Sequence, residues 1–380
     1  VRSGAERSRA HLPAPAAALG AGIAHTTATC ATGIHHRNGG GSMSIANIGI
    51  IARLELTQRL RSVGWYILLG VFALVLLGIT GLAFAVYSWG DAVGAGVYSI
   101  VVNIVLLLVV LVSPTLSGNA INGDREAATL AAVQVTAAST GDIMIGKLVA
   151  AVATGGAFLA VALPFLALSL LGGGADPLVL LVSLLVLAAE IIIVAAIGVG
   201  LSGLIARPLF SVAATYLVVS ALVVGTLIVF GLGGMAIRSE GTSYSRPYDV
   251  DGSPDCTRWE VNSRLEVPRY DLVWWVLAAN PFVVLADATP TEYSPEGYPV
   301  DMFGQIKFGL RSAQQSPLEQ RWDDCGTNEY RTPKEVIESS VPSWFVGLGV
   351  QVVIAGSLFA GAWARTRTPA KRLPPGTRIA

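Results

Sequence analysis

The sequence predicts an all-α polytopic membrane protein with six transmembrane helices, and three observations support this fold class. Hydrophobic residues make up 53% of the 380 residues and charged residues only 13%, about half the charged fraction of soluble domains. Aromatic residues stand beside the ends of the apolar windows, where amphipathic rings favour the headgroup region. Apolar windows long enough to cross a bilayer, about 20 residues, cover residues 65–87, 97–116, 148–171, 178–204, 209–232 and 344–364, and Glu190 is the one charged residue within them.

Composition excludes several classes of function. Lys and Arg together number 25, as do Asp and Glu, so the net charge is zero and a generally basic nucleic-acid binder is excluded. Three cysteines without a CxxC pair exclude a disulfide scaffold and zinc-ribbon or thioredoxin chemistry. All four histidines lie in residues 1–42, which lack hydrophobic periodicity. We therefore expect no metal site, and we interpret residues 1–42 as a disordered leader or as translation from upstream of a true start at Met43.

The membrane orientation follows from the short connections, because Lys and Arg resist translocation. The connections at residues 88–96 and 172–177 contain no basic residue. We therefore predict a cell membrane protein with both termini cytoplasmic and a basic tail at residues 365–380. The basic residues on the predicted cytoplasmic side are Arg53, Arg59, Arg61, Arg125, Lys147, Arg207, Arg365, Arg367, Lys371, Arg372 and Arg378.

Residues 233–343 form the long connection between spans five and six, which this orientation places outside the cell. They include seventeen acidic and ten basic residues, a net charge of −7, so the remainder of the chain carries +7. Cys256 and Cys325 lie in this outer region, and an oxidising exterior permits them to pair. We predict a disulfide between them, with two unpaired thiols as the alternative.

Within the outer region, residues 272–286 are apolar but too short to span a bilayer as one helix. The proline at position 281 removes a hydrogen-bond donor and disfavours helix at Asn280. A seventh span would also place the basic tail outside and separate the two cysteines. We therefore predict short re-entrant helices near residues 271–289, hinged at Asn280 and Pro281.

Two glycine-rich segments match nucleotide-binding motifs only formally. Residues 141–148 follow the phosphate loop GxxxxGK[ST], except that Leu148 replaces the hydroxyl residue that binds Mg²⁺. Residues 198–203 follow GxGxxG but lie inside the fourth predicted span, where small residues allow close helix packing. Neither segment predicts nucleotide binding by this chain.

The connection between spans two and three predicts a cytoplasmic helical hairpin. Asp124 can cap a helix whose first turn contains Glu126, where the helix dipole favours negative charge. Gly141 can end this helix, and a short segment then leads into the third span. A rigid hairpin between two membrane helices suits a partner that pushes from the cytoplasm.

This connection resembles that of the membrane subunits of ABC-2 type ABC transporters, which reads roughly E-R-E-x-G-T-L-E-x-L followed by a proline turn and G-K. Ala128, Ala131 and Ala137 depart from the pattern at a glycine, a glutamate and the proline. The matching residues are Asp124, Arg125, Glu126, Thr129, Leu130, Gly146 and Lys147.

Two further segments add to the resemblance: Gly200-Leu-Ser202 at the end of span four and Asn280-Pro281-Phe282 ahead of the last span. The resemblance covers about residues 43–365, apart from most of the outer region.

The resemblance implies a permease subunit that is not an enzyme and binds no cofactor itself. A separate ABC ATPase, carrying ATP and Mg²⁺, would bind residues 124–138 as a coupling helix. Two permeases, either copies or paralogues, would form a dimer in the lipid bilayer, and a basic helix at about residues 45–61 would lie along the inner membrane face. Alternating access would then export a hydrophobic or amphipathic substrate.

Glu190 and Asn103 are polar residues deep within predicted spans. An ionisable group there costs at least a few kcal/mol unless it is paired, neutral or facing a wet cavity. Glu190 is therefore either part of a translocation path or dimer interface, or a protonated acid bonded to a neighbouring helix, for instance through Asn103 or a serine. For Asn103 we favour helix packing over a role in transport.

Other classes of function stay open. An ion-coupled secondary transporter is expected to show inverted repeats and paired intramembrane charges, whereas this sequence has no evident repeat and only Glu190. A membrane-anchored interaction protein would act through its outer region. The sequence lacks the catalytic residues that an intramembrane enzyme would need, because it has no histidine after residue 42, no clustered intramembrane carboxylates and no serine motif.

Overall fold

The computed structural model describes residues 43–88, 92–126, 139–173, 176–325 and 331–366. The predicted leader at residues 1–42 and most of the basic tail lie outside the described residues, as do Thr129 and Leu130. For Arg125 and Glu126 the backbone is described and the side chains are not.

The described part of the chain contains six helices long and apolar enough to cross a membrane, as predicted, so the protein is a multi-pass membrane protein. In chain order, the α-helices are α1 Ile45–Leu60, α2 Val63–Tyr87, α3 Val93–Ser117, α4 Asn122–Glu126, α5 Thr140–Leu170, α6 Pro177–Leu204, α7 Pro208–Ala236, α8 Trp274–Ala278, α9 Pro281–Ala288, α10 Met302–Ala313, α11 Pro333–Ser339 and α12 Trp344–Thr366. The six candidate spans are α2, α3, α5, α6, α7 and α12.

Successive spans run in opposite directions, which gives the membrane domain two distinct ends. Helices α1 and α4 lie at one end, called here the α1 end, together with the turn between α6 and α7. The segment from residue 237 to residue 343 lies at the other end, called here the sheet end, where Asp176 N donates to Glu292 and Met302 N donates to Ser99 Oγ.

Helix α5 begins earlier than the uncharged window suggests. Ser139 caps it, since Ser139 Oγ accepts from Asp142 N (3.1 Å) and Asp142 Oδ2 accepts from Ser139 N (2.9 Å). Gly141 thus lies in the first turn of α5, and the prediction that it ends a hairpin helix is wrong. Asp124 lies inside α4 rather than at its N-cap, which is a second correction. Charges ended the predicted window, whereas the helix continues through Asp142 and Lys147 because both have partners.

Helix α3 is the central element of the membrane domain and the most deeply buried of the six spans. It packs against α2, α5, α6 and α7. Tyr98 of α3 shares a buried hydrogen bond with Ser183 Oγ of α6 (2.8 Å). Nearer the α1 end, the ring of Phe158 packs edge-on against Trp65 and Phe72, with centroid distances of 5.4 and 5.0 Å. Apolar packing of this kind holds α2 and α5 around the centre.

A small sheet at the sheet end is a feature that the sequence analysis did not predict. Strands β1 Arg238–Ser245, β2 Glu260–Pro268 and β3 Glu319–Trp322 form the order β2-β1-β3, with β1 antiparallel to β2 and parallel to β3. Most residues of β2 and all of β3 are exposed. Their sequences therefore lack the alternation of apolar and polar residues from which a strand is predicted, and the all-α class describes the membrane spans alone.

Cys256 and Cys325 form the predicted disulfide, with their Cα atoms 5.8 Å apart. The bond joins the connection between β1 and β2 to the residues that follow β3. Near it, the Arg246 guanidinium pairs with Asp323 (3.1 Å) and stacks over the Trp259 ring at 3.8 Å from its centroid. These contacts hold a sheet that has little buried apolar surface of its own.

A buried ion pair connects the sheet end to the last span. Arg311 Nε of α10 donates to Asp287 Oδ1 of α9 (2.7 Å), and Asp287 Oδ2 accepts from the backbone N–H groups of Ser343 (2.7 Å) and Trp344 (2.9 Å) at the start of α12. Because both charges are buried and hydrogen-bonded, the arrangement of α9, α10 and α12 is strongly specified.

Two further buried charged residues flank this pair. Asp301 caps α10 by accepting from Gly304 N (2.8 Å), and burial raises the pKa of its carboxyl to about 6. Burial lowers the pKa of the Lys307 ammonium to about 8. Lys307 Nζ donates to Thr289 O (2.6 Å) at the end of α9, which adds another link between α9 and α10.

We expect loss of the disulfide to loosen the sheet and leave the spans intact. The bond closes a loop with a sequence separation of 69 residues, for which the expected stabilisation is about 2 to 4 kcal/mol. Replacing Cys256 and Cys325 with serine should increase the rate of proteolysis within residues 237–270, measured on the purified membrane protein. Cleavage at the wild-type rate would contradict this role, and reduction of the wild-type protein is the matched control.

Candidate functional site

Lys147 is the centre of a charged cluster at the α1 end. Its side chain stands two turns into α5 and is only 2% exposed, so its ammonium needs anionic partners. Lys147 Nζ pairs with Asp124 Oδ2 of α4 (2.8 Å) and with Glu55 Oε1 of α1. One cation between two carboxylates thus joins three elements. We call Lys147, Glu55 and Asp124 the Lys147 cluster.

Asp142 attaches the beginning of α1 to the same helix. This carboxylate is fully buried. Besides its capping bond to Ser139, it accepts from Ser44 N (2.9 Å) and from Asn47 Nδ2 (3.3 Å). Several hydrogen bonds to one carboxylate compensate for its burial. The N-terminal end of α1 is therefore held on the first turn of α5.

Arg59 attaches the other end of α1. Its guanidinium donates to Thr154 Oγ1 of α5 and, through Nη2, to Leu116 O of α3 (3.0 Å). Leu116 belongs to the last turn of α3, where carbonyl groups lack partners within the helix. Burial lowers the pKa of the Arg59 guanidinium, and the charge of Glu55 opposes that shift. The Arg59 side chain thus connects two spans, α3 and α5, to α1, which is not itself one of the six spans.

Gly146 permits the close contact between α1 and α5. A Cβ atom at this position would lie 2.8 Å from the side chain of Ile51 and 3.2 Å from Ile48 O. Any larger residue would push the two helices apart and lengthen the Lys147–Glu55 contact. The adjacent Gly146 and Lys147, predicted here only through a resemblance, thus have a packing role and an electrostatic role in the same contact.

The connection after α3 is also held by the end of α6. Ser202 Oγ accepts from Ile121 N (2.9 Å) and Asn122 N (3.2 Å), and Asn122 Nδ2 donates to Ile205 O (2.6 Å). These bonds satisfy backbone N–H groups at the start of α4. The beginning of the segment from residue 122 to residue 138 is therefore attached to α1, α5 and α6 at once.

The structure brings together some of the predicted site residues and adds others. Asp124 and Lys147 are in contact through the ion pair, and Gly146 lies beside them. Glu55, Arg59 and Asp142 were not predicted as site residues. The sequence does indicate that Glu55 and Arg59 act together, because they are four residues apart and share a helix face. Asp142 follows Ser139 at the spacing of a capping box.

A second polar site lies where α8 and α9 divide the apolar stretch of residues 272–286. Asn280 caps α9 by accepting from Phe282 N (3.0 Å), and Pro281 is the first residue of that helix, where its missing N–H is not needed. Asn280 Nδ2 donates to Val223 O (2.7 Å) and Thr226 Oγ1 (3.0 Å) of α7. We call this contact the Asn280 junction.

Val223 belongs to an irregular turn of α7. The span consists of two α-helical segments, Pro208–Ser220 and Thr226–Ala236, with a π-helical turn at Ala221–Gly225 between them. Such turns are rare and frequently lie at functional sites. The Asn280 junction therefore joins two irregularities, the break between α8 and α9 and the π turn of α7.

Glu190 and Asn103, the predicted intramembrane polar residues, do not share a site. Asn103 Nδ2 donates to Ser99 O of its own helix (2.8 Å). Glu190 is fully buried, and the polar side chain that interacts with it is Gln351 of α12. Within the described part of the chain, no group of three His, Cys, Asp or Glu side chains could hold a metal ion.

Comparison with known proteins leaves the family open. No protein-family model matches the chain, and no curated protein sequence matches it.

We expect Lys147→Met to lower the free energy of unfolding by about 2 to 4 kcal/mol, because it removes the cation that lies between two carboxylates. Partial exposure of Glu55 (18%) and Asp124 (29%) keeps the loss below that of a fully buried pair. Adding Glu55→Gln and Asp124→Asn removes the charges and should restore most of the loss. Thermal unfolding in detergent measures both variants, and a triple variant no more stable than Lys147→Met would contradict the electrostatic role.

At the Asn280 junction, we expect Asn280→Asp to lower the free energy of unfolding by about 1 to 3 kcal/mol, because Val223 O and Thr226 lose their donor. Aspartate caps a helix as well as asparagine does. The matched variant Asn280→Ala loses the cap and the donor. If Asn280→Asp unfolds at the wild-type temperature, capping alone explains the residue and the contact with the π turn is unimportant.

Proposed function

We propose that this chain is the permease subunit of an ATP-driven exporter of the ABC-2 type, working with a separate ABC ATPase. The observation that supports this proposal best is the attachment of α4 to α1, α5 and α6. A partner that displaces the segment after Asp124 acts directly on two spans, because Lys147 belongs to α5 and Ser202 to α6. An attachment of this kind is what a mechanical input from outside the membrane requires.

The attachments transmit displacement because they are buried and polar. Separating Asp124 from Lys147 would take one of two carboxylates away from a buried ammonium group, and separating Ser202 from Ile121 and Asn122 would leave backbone N–H groups unsatisfied. Both penalties are avoided when α4, α5 and α6 move together. We infer that the ATPase closes beneath residues 124–138 and that alternating access follows from a joint movement of these helices.

The proposal includes an orientation with the α1 end in the cytoplasm. Arg53, Arg61, Arg207 and Arg365 all belong to this end, and basic residues in short segments favour the cytoplasmic side. The ATPase would supply ATP and Mg²⁺, a second permease would complete a dimer in the bilayer, and the cargo would be a hydrophobic or amphipathic molecule. The sheet end, with its disulfide, would face the oxidising exterior.

The proposal is tested by isolating the chain from its own membrane with a C-terminal tag and a mild detergent. We expect an ATPase subunit containing a complete phosphate loop to co-purify, and we expect the complex to hydrolyse ATP in a manner inhibited by vanadate. Isolation of the chain without an ATPase, together with no vanadate-sensitive hydrolysis, would refute the proposal.

A double variant tests the coupling segment. We expect Glu126→Ala with Leu130→Asp to reduce the co-purified ATPase at least tenfold while membrane insertion stays normal, because an introduced charge disrupts an apolar contact with the partner. The matched control is Glu260→Ala with Val261→Asp, the same chemical changes on exposed residues of β2. Wild-type association of the first variant would contradict the placement of the coupling helix at residues 124–138.

A further inference from the structure

Glu190 lies midway along α6, at the interface with α12, and its side chain is fully buried. The two helices approach most closely nearer the α1 end, ten to thirteen residues beyond Glu190. A Cβ atom on Gly200 of α6 would lie 2.9 Å from the backbone of Leu358 in α12, and one on Gly203 would lie 2.6 Å from Ala362 Cβ. Because no part of the Glu190 side chain is exposed, its carboxyl group reaches bulk water only when the packing around it opens.

Three buried oxygen atoms of Glu190 and Gln351 lack hydrogen-bond partners among the described residues. Neither carboxyl oxygen of Glu190 makes a hydrogen bond of normal length with any described residue, and the same holds for Gln351 Oε1. Gln351 interacts with Glu190 through its side-chain amide, and one hydrogen of the amide Nε2 is donated to Ala279 O (3.1 Å). Three oxygen atoms in an apolar interface would repel one another if the carboxyl group were charged.

No charged group of the surrounding helices compensates for a charge on Glu190. Helix α6 packs against α3, α5, α7, α9 and α12. The charged residues on these helices stand at their ends and, among the described residues, none of them interacts with Glu190. The titratable residues on the five helices are Tyr98, Asp142, Lys147, Tyr216, Asp287 and Arg365.

We propose that Glu190 is a proton-binding site inside the membrane domain, where the carboxyl group carries a proton at neutral pH and donates it to Gln351 Oε1. When the helices separate, a carboxylate oxygen takes this proton from a hydronium ion and leaves a water molecule, and the proton returns to a bulk water molecule when they separate again. One proton supplies the donor that Gln351 Oε1 lacks in the described part of the chain. The ligand is thus a proton, held by one acid and one amide.

The site is connected to the Asn280 junction. Gln351 of α12 donates to Ala279 O, and the next residue, Asn280, donates to the π turn of α7. Proton binding at Glu190 therefore stabilises the contact of α6 with α12 and, through Gln351, the contact of α12 with the break between α8 and α9. This inference concerns the α6–α12 interface and does not rest on the proposed export function.

Infrared spectroscopy of the full chain in liposomes tests the proposal directly. The difference spectrum between wild type and Glu190→Gln at pH 7 should show the carbonyl stretch of a protonated carboxylic acid, shifted by exchange into D₂O. The matched control is Glu335→Gln, in which glutamine preserves an exposed capping box and the difference spectrum should show lost carboxylate bands. If Glu190→Gln also shows carboxylate bands, Glu190 is ionised and the proposal is wrong.

A second variant tests the acceptor without altering the acid. In Gln351→Leu the acid loses its hydrogen-bond acceptor, and we expect its carbonyl band to persist and to move to higher frequency. An unshifted band would refute the assignment to Gln351. The spectra are repeated with sodium chloride replaced by choline chloride, and replacement of the acid band by carboxylate bands specifically in sodium would show that the site binds a metal cation instead of a proton.

Discussion

The buried ammonium group of Lys147 imposes the constraint on which the α1 end depends. A lysine within a membrane helix is tolerated only beside anions, and its two anions come from α1 and α4. Helix α1 must therefore lie against α5, and the connection after α3 must return to the same place. Gly146 makes the distance short enough, while Asp142 and Arg59 secure the two ends of α1.

At the sheet end, too, buried polar side chains require hydrogen-bond partners, and there the central residues are Asp287 and Asn280. Asp287 serves as the N-terminal cap of α12 and as the partner of Arg311, so one carboxylate positions the last span and α10 together. The side-chain oxygen of Asn280 accepts a hydrogen bond from α9, and its side-chain nitrogen donates one to the π turn of α7. Each residue satisfies backbone groups of one helix and a side chain or carbonyl of another, and neither helix could shift alone without leaving a buried polar group unpaired.

Helix α6 connects the two ends. It holds α4 through Ser202 at the α1 end, and it meets Gln351 through Glu190 half-way along its length. Gln351 then contacts the residue before the Asn280 junction. A movement that begins at α4 is thus transmitted to α6, the helix that contains Glu190, whose two carboxyl oxygens both lack hydrogen-bond partners among the described residues. Elements with such an imbalance have two arrangements of similar energy more readily than a uniformly apolar interface does.

The sequence alone determined the membrane class, the approximate positions of six spans and the location of the one long connection, because these depend on hydrophobicity summed over about 20 residues. It also indicated the disulfide and the break at Asn280, which follow from two cysteines in one region and from the chemistry of proline. Only the tertiary structure decided that Glu55 and Asp142 hold α1 against α5, that Gln351 faces Glu190, and that polar strands form a sheet. These features depend on which helix faces meet and at what height, and a hydrophobic period does not encode the partner of a single polar side chain.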